Sequence, residues 1–200
     1  MRDFIAFLVR AITGAQGHWF DCEPSARQRV YIANHSSHLD FLVLWAALPS
    51  HVRSVTRPVA AKDYWEASGP RRWLATNVFQ AVLVDRKPGM VGAEEVLRPL
   101  TEALEQGSSL IFFPEGTRGK GDEVADFKSG LFHLCRLWPG LEIVPAFLAN
   151  LNRILPKGEF LLVPLLTQVS FGRPMKLEEG EVKPKFLDRA RAAVCALENA

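Results

Sequence analysis

The chain has 200 residues, 48% of them hydrophobic, and a formal net charge of +2. That is enough for one domain with a substantial core, and it gives no global basic field of the kind that nucleic acid requires. Three widely spaced cysteines (Cys22, Cys135, Cys195) without a CxxC pair fit a reducing compartment and offer no zinc-type ligand set. No apolar run approaches the roughly 20 residues of a membrane span. The apolar run 4–9 is interrupted by Arg10 and followed by no small-residue cleavage pattern, which argues against a signal peptide. A mean hydropathy of +0.03 and five Trp point either to surface apolar area or to a large dry core.

In chain order, residues 1–14 read as a short helix. Phe4, Ile5, Phe7, Leu8, Ala11 and Ile12 cover a broad face, flanked by Arg2 and Arg10. Such a helix can lie in a lipid interface or pack across the domain as an arm. Residues 14–28 read as loop and 29–33 as the first core strand. A buried helix follows Asp40 and stops by Pro49, and 52–61 contain a second strand. Residues 62–80 mix Lys62, Arg71 and Arg72 with Tyr64, Trp65, Trp73 and Phe79. That composition suits a water–lipid boundary, and equally a helix whose aromatics face the core.

Residues 81–84 read as a short strand ending in Asp85-Arg86-Lys87 and a Pro88-Gly89 turn. Residues 94–106 form an amphipathic helix with Pro99 in its first turns and Gly107 closing it. A buried strand at 109–113, a helix at 124–138, a strand at 142–148, one or two strands within 160–171 and a helix at 184–197 complete the chain. Strands alternating with helices predict a single α/β domain with a mixed, mostly parallel sheet flanked by helices.

Two stretches carry chemistry. Asn34-His35-Ser36-Ser37-His38-Leu39-Asp40 lies between an apolar strand and an apolar helix. On one continuous helix, a five-residue offset turns about 140°, so His35 and Asp40 would not face each other. They meet if His35 lies in the turn and Asp40 in the first helical turn, with Ser36 and Ser37 as cap residues. A carboxylate accepting from one ring nitrogen leaves the other free as a base. The alternatives are a histidine serving as a cap or satisfied core group, or a metal held by His35, His38 and Asp40. The second stretch is Phe113-Pro114-Glu115-Gly116-Thr117-Arg118. Gly116 permits positive φ, Arg118 offers a fork for phosphate, and Lys120 and Lys128 add positive charge beyond it. Loops at the carboxyl ends of strands share one crevice in an α/β sheet, so the two stretches can face each other. By itself the hexapeptide also reads as a plain strand-exit loop.

In order and spacing, four blocks resemble those of the glycerolipid acyltransferases, nearest to the lysophosphatidic acid (1-acylglycerol-3-phosphate) acyltransferases. They are Asn34-His35…Asp40, Val84-Asp85-Arg86, residues 113–118, and Ile143-Val144-Pro145. The likeness extends from about residue 30 to residue 175, including Phe127-Lys128-Ser129-Gly130. It departs at Gln80 and Ala81, where a glycine is common, and at Gly119, where Ser is frequent.

The resemblance implies a glycerol-3-phosphate acyltransferase-like fold over 29–200, preceded by an N-terminal amphipathic arm and loop at 1–28. It implies His35 as general base with Asp40 orienting it. Glu115, Gly116, Thr117 and Arg118, with Arg86 and Lys128, are implied at the acceptor-phosphate site. It further implies acyl transfer from acyl-CoA or acyl-carrier protein to a lysophospholipid, with no metal, no cofactor and no nucleic-acid partner. The place of work it implies is peripheral, on the cytoplasmic face of a membrane. Alternatives at this point are the same chemistry on another lyso-acceptor, such as a lyso-ornithine lipid, or a catalytically silent membrane-binding module.

Overall fold

A computed structural model describes residues 1–37, 39–85, 92–119, 123–149 and 167–198. Among these, the strands are β1 (Gln16–Trp19), β2 (Arg29–Ala33), β3 (Thr56–Ala61), β4 (Val82–Val84), β5 (Ser109–Phe112), β6 (Glu142–Leu148) and β7 (Gln168–Phe171). They form one sheet in the order β1-β7-β6-β2-β5-β3-β4. The run from β6 to β4 is parallel throughout. β7 joins β6 antiparallel, and β1 pairs parallel with β7. The sequence expectation of a mostly parallel α/β sheet is met.

The helices are α1 (Arg2–Thr13), α2 (Asp40–Ala47), α3 (Ser50–Ser54), α4 (Lys62–Trp65), α5 (Gly69–Trp73), α6 (Ala93–Glu105), α7 (Gly130–Leu137) and α8 (Lys183–Cys195), with a π-helical turn at Leu74–Phe79. All five residues of β2 are buried, as expected for a strand covered on both faces. Tyr31 and Ala33 face a core built with Val43, Leu44, Trp45 and Phe79 on the α1–α2 side. Val30 and Ile32 face the other core, with Leu100, Leu131 and Phe186 from α6, α7 and α8. Alternation along one strand thus fixes helices on both sides.

α1 buries Ala6, Val9 and Thr13 and ends on Gly14 at φ 64, the left-handed cap. Its arginines are spent inward. Arg10 Nε donates to Ala46 O at 2.6 Å and Nη2 to Leu48 O at 3.0 Å, while Arg53 Nη1 donates to Leu48 O at 2.6 Å. The carbonyls at the end of α2, which have no partner within the helix, are satisfied this way. Of the two sequence readings for residues 1–14, the arm packing across the domain is present, yet its outer face remains apolar. Phe4 is 63% exposed and Phe7 64%.

Four local expectations are corrected. Residues 16–19 are a strand rather than loop. Gln-Gly-His-Trp has weak strand propensity, but Gly17 lies so close to Ala47 O and Phe171 that a Cβ would sit 3.0 Å from the carbonyl, and Trp19 stacks on Phe171 at 4.0 Å. The helix expected at 124–138 begins only at Gly130, because the amides of Ala125 and Lys128 bond to Glu115 Oε2 and Pro114 O instead of to a helical turn. Pro99 stands in the middle of α6, where the burial of Leu97, Leu100, Ala103 and Leu104 holds the helix despite the bond that proline cannot make. Residues 62–80 form short helices in place of one. Trp65 and Phe79 pack edge-on against Phe41 and Phe79 against Trp45, whereas Trp73 is 51% exposed. The Lys87-Pro88-Gly89 turn and the part of the expected strand region at 160–166 lie outside the described residues.

Candidate active site

β2 and β5 are neighbours with Ile32 opposite Phe112, so the loops leaving their carboxyl ends meet. His35 lies in the turn after β2, and Asp40 is the first residue of α2, as the spacing argument requires. His35 Nδ1 stands 2.7 Å from Asp40 Oδ2. The same oxygen accepts the Ser36 N–H at 2.6 Å and the Ser37 N–H at 2.8 Å. The serines therefore serve Asp40 through their backbone; their side chains do not cap the helix, a role the sequence had suggested for them. Oδ2 already accepts two amide hydrogens, so the pairing suits the tautomer in which Nδ1–H donates to it and Nε2 is left outside the pair. The Asp40 side chain is fully buried and the His35 ring 21% exposed. The imidazole is partly open while its carboxylate partner is sealed.

The second loop holds His35 by its backbone. Glu115 Oε1 accepts the His35 N–H at 2.7 Å, and the Gly119 N–H donates to His35 O at 2.8 Å. Phe113 lies against the imidazole, with ring centroids 4.5 Å apart and planes 25° from parallel. Glu115 is 2% exposed, and its second oxygen accepts the Ala125 N–H at 3.2 Å. Burial pushes its carboxyl above the ordinary range, and the two amide bonds oppose that shift.

Gly116 adopts φ 69, and the Lys128 side chain crosses it. Lys128 is brought there by its own amide, which donates to Pro114 O at 2.8 Å. Thr117, Arg118 and Lys128 are exposed, so the surface of this loop is polar and cationic. Arg86, Lys120 and His38 lie outside the described residues. The adjoining Asp85 is exposed, next to β4 at the far edge of the sheet from β1. Val144 and Pro145 of the fourth block are core residues of β6, paired with Tyr31 and Ile32.

Asn34 has a role that sequence reasoning did not assign. Its side-chain amide donates to Leu148 O at 3.1 Å and accepts the Leu148 N–H at 2.8 Å. A side-chain amide copies a peptide group, so the pairing of β2 with β6 is carried one residue past Ala33 and the turn holding His35 is anchored to a third strand. An asparagine at a buried strand exit was the available signal. The stacking of Phe113 and the Gly119 bond had none, because both depend on the neighbouring loop.

The sequence model of a family described as Acyltransferase matches residues 21–149. The chain is 29% identical over 161 residues to 1-acyl-sn-glycerol-3-phosphate acyltransferase of Limnanthes douglasii, covering 80% of this chain and 54% of the relative. It is 30% identical over 172 residues to the human 1-acyl-sn-glycerol-3-phosphate acyltransferase alpha, covering 84% of this chain and 58% of the relative. The chain thus spans about half the length of the curated relatives it matches. The crystal structure of the 1-acyl-sn-glycerophosphate (LPA) acyltransferase of Thermotoga maritima superposes with a TM-score of 0.75 at 18% identity, over 98% of this chain and 76% of that one.

Proposed function

We propose, on the premise that this chain belongs to the acyltransferase family, that it transfers a fatty acyl group from a thioester to the free hydroxyl of a lysophospholipid. The acceptor named by its relatives, 1-acylglycerol-3-phosphate, gives phosphatidic acid as product. The observation that carries the reading is the His35–Asp40 pair, 2.7 Å apart with the carboxylate sealed and the ring open.

His35 Nε2 takes the proton of the acceptor hydroxyl as its oxygen attacks the thioester carbonyl. The tetrahedral intermediate collapses with cleavage of the C–S bond, and the imidazolium returns the proton to the departing sulfur. The product is an ester and a free thiol, of acyl-CoA or acyl-carrier protein, and no side chain is acylated. General-base assistance of this kind contributes about 10² to 10⁴ in rate. Asp40 holds the ring in the required tautomer throughout. Arg118, Thr117 and Lys128, with Arg86, are the groups suited to hold the acceptor phosphate. Arg118 supplies a fork and Lys128 a point charge across Gly116.

The acceptor and product carry chains that belong in a bilayer, and no helix among the described residues is long and apolar enough to cross one. The exposed face of α1, with Phe4, Phe7, Leu8 and Ile12, is the surface suited to rest on lipid. Exposed Trp73, with Arg71 and Arg72, adds a second contact on α5. Arg2 and Arg10 contribute little to that contact, since both donate to backbone carbonyls of the domain. The test is purified protein with labelled acyl-CoA and a panel of lyso-acceptors, including a lyso-ornithine lipid, read as product lipid and free thiol. Thiol release without lipid product from any acceptor contradicts the reading.

A further inference from the structure

We infer that Glu115 is a positioning residue that mounts the backbone of His35 on the loop after β5, and that it does not contact the acceptor phosphate. This rests on the reading of His35 as the base. A phosphate needs donors or cations, and a carboxylate offers only acceptors. Both Glu115 oxygens are already engaged: Oε1 holds the His35 N–H and Oε2 the Ala125 N–H, in a side chain 2% exposed.

The mount has two points. Glu115 takes the N–H of His35, and the Gly119 N–H takes its C=O at 2.8 Å. Asp40 and Phe113 then fix the ring that this backbone carries. Without Glu115, the peptide preceding the base loses its partner in a buried site, and residues 123–127 lose their tie to the same loop. The dyad geometry tolerates little of this, because a displacement of about 1 Å at a reacting group can cost on the order of 10²-fold in rate.

The experiment compares Glu115→Met and Glu115→Gln with wild type in the whole chain. It reads kcat, the KM for each substrate, and the Nδ1–H resonance of His35 by NMR on histidine-labelled protein. Expected is a loss of ~10²-fold in kcat for Glu115→Met, with KM for the phosphate acceptor unchanged and the His35 Nδ1–H signal shifted or lost. Glu115→Gln retains more activity, since its amide oxygen still accepts the His35 N–H while its NH₂ opposes the Ala125 N–H. If Glu115→Met does not fold, the intermediate kcat and shifted resonance of Glu115→Gln carry the test. A raised acceptor KM at unchanged kcat, or an unchanged His35 resonance in both variants, overturns the inference. If wild type transfers no acyl group, the acyltransferase reading fails on its own, and the resonance alone still decides whether Glu115 holds His35.

Discussion

The Lys128 side chain lies across Gly116 so closely that a Cβ on the glycine would sit 3.0 Å from Lys128 Cδ and 3.1 Å from Nζ. With φ at 69 as well, position 116 has neither the backbone freedom nor the space for a side chain. Gly116→Ala therefore pushes the ammonium off the loop, and steady-state kinetics will show a raised KM for a phosphate-bearing acceptor with KM for acyl-CoA unchanged. Arg118→Ala acts on the same substrate more strongly, by ~10- to 100-fold for a lost charge-assisted pair. Arg118→Lys recovers part of it because the fork is gone. Equal effects on both substrates remove these residues from the acceptor site.

Membrane contact is expected to be apolar first and electrostatic second. Each large side chain of α1 buried in lipid contributes about 1.5–3 kcal/mol, and Arg2 and Arg10 are occupied within the domain. Phe4→Ser with Phe7→Ser will weaken sedimentation with anionic liposomes far more than raising the salt does. Activity on a monomeric short-chain acceptor will survive the double change. Release of the wild type by salt alone contradicts this account of α1.

The segment before α8 gives a stability prediction with a defined sign. Arg189 donates to both Glu181 oxygens, at 2.9 and 2.6 Å, and these bonds hold the Glu181 carboxyl below its ordinary value of 4.5. A lowered folded-state value means stability that is full above the unfolded value and lost as the pH falls through the folded one. Glu181→Gln therefore lowers Tm at neutral pH, and the gap to wild type closes as the pH drops from about 5 toward 3. A gap that stays constant across that range excludes the ion pair as its source.

Much of this was legible in the residues, and what was not has a physical reason. β2 announced itself by an unbroken apolar run, and the His35–Asp40 meeting followed from a five-residue offset across a strand–helix junction. β1 escaped detection because a close glycine and a stacked tryptophan hold it to the sheet, where propensity alone would not. The start of α7 was misplaced because Glu115 and Pro114 capture amides that a helical reading assigns to the helix. Arg2 and Arg10 read as lipid contacts in the sequence; only the fold reveals that Arg10 serves carbonyls at the end of α2 and Arg2 the Arg53 carbonyl of α3. Bonds between loops 80 residues apart, such as His35 to Glu115, leave no periodic trace.

If His35 is the base of an acyl transfer, the rate must fall in His35→Ala. Wild type and variant, both folded by circular dichroism, are mixed with labelled acyl-CoA and 1-acylglycerol-3-phosphate, and labelled phosphatidic acid and free thiol are counted together. Wild type will give equal amounts of lipid and thiol, and both will fall by ~10² to 10⁴ for His35→Ala. A variant that forms phosphatidic acid at the wild-type rate contradicts that role for His35.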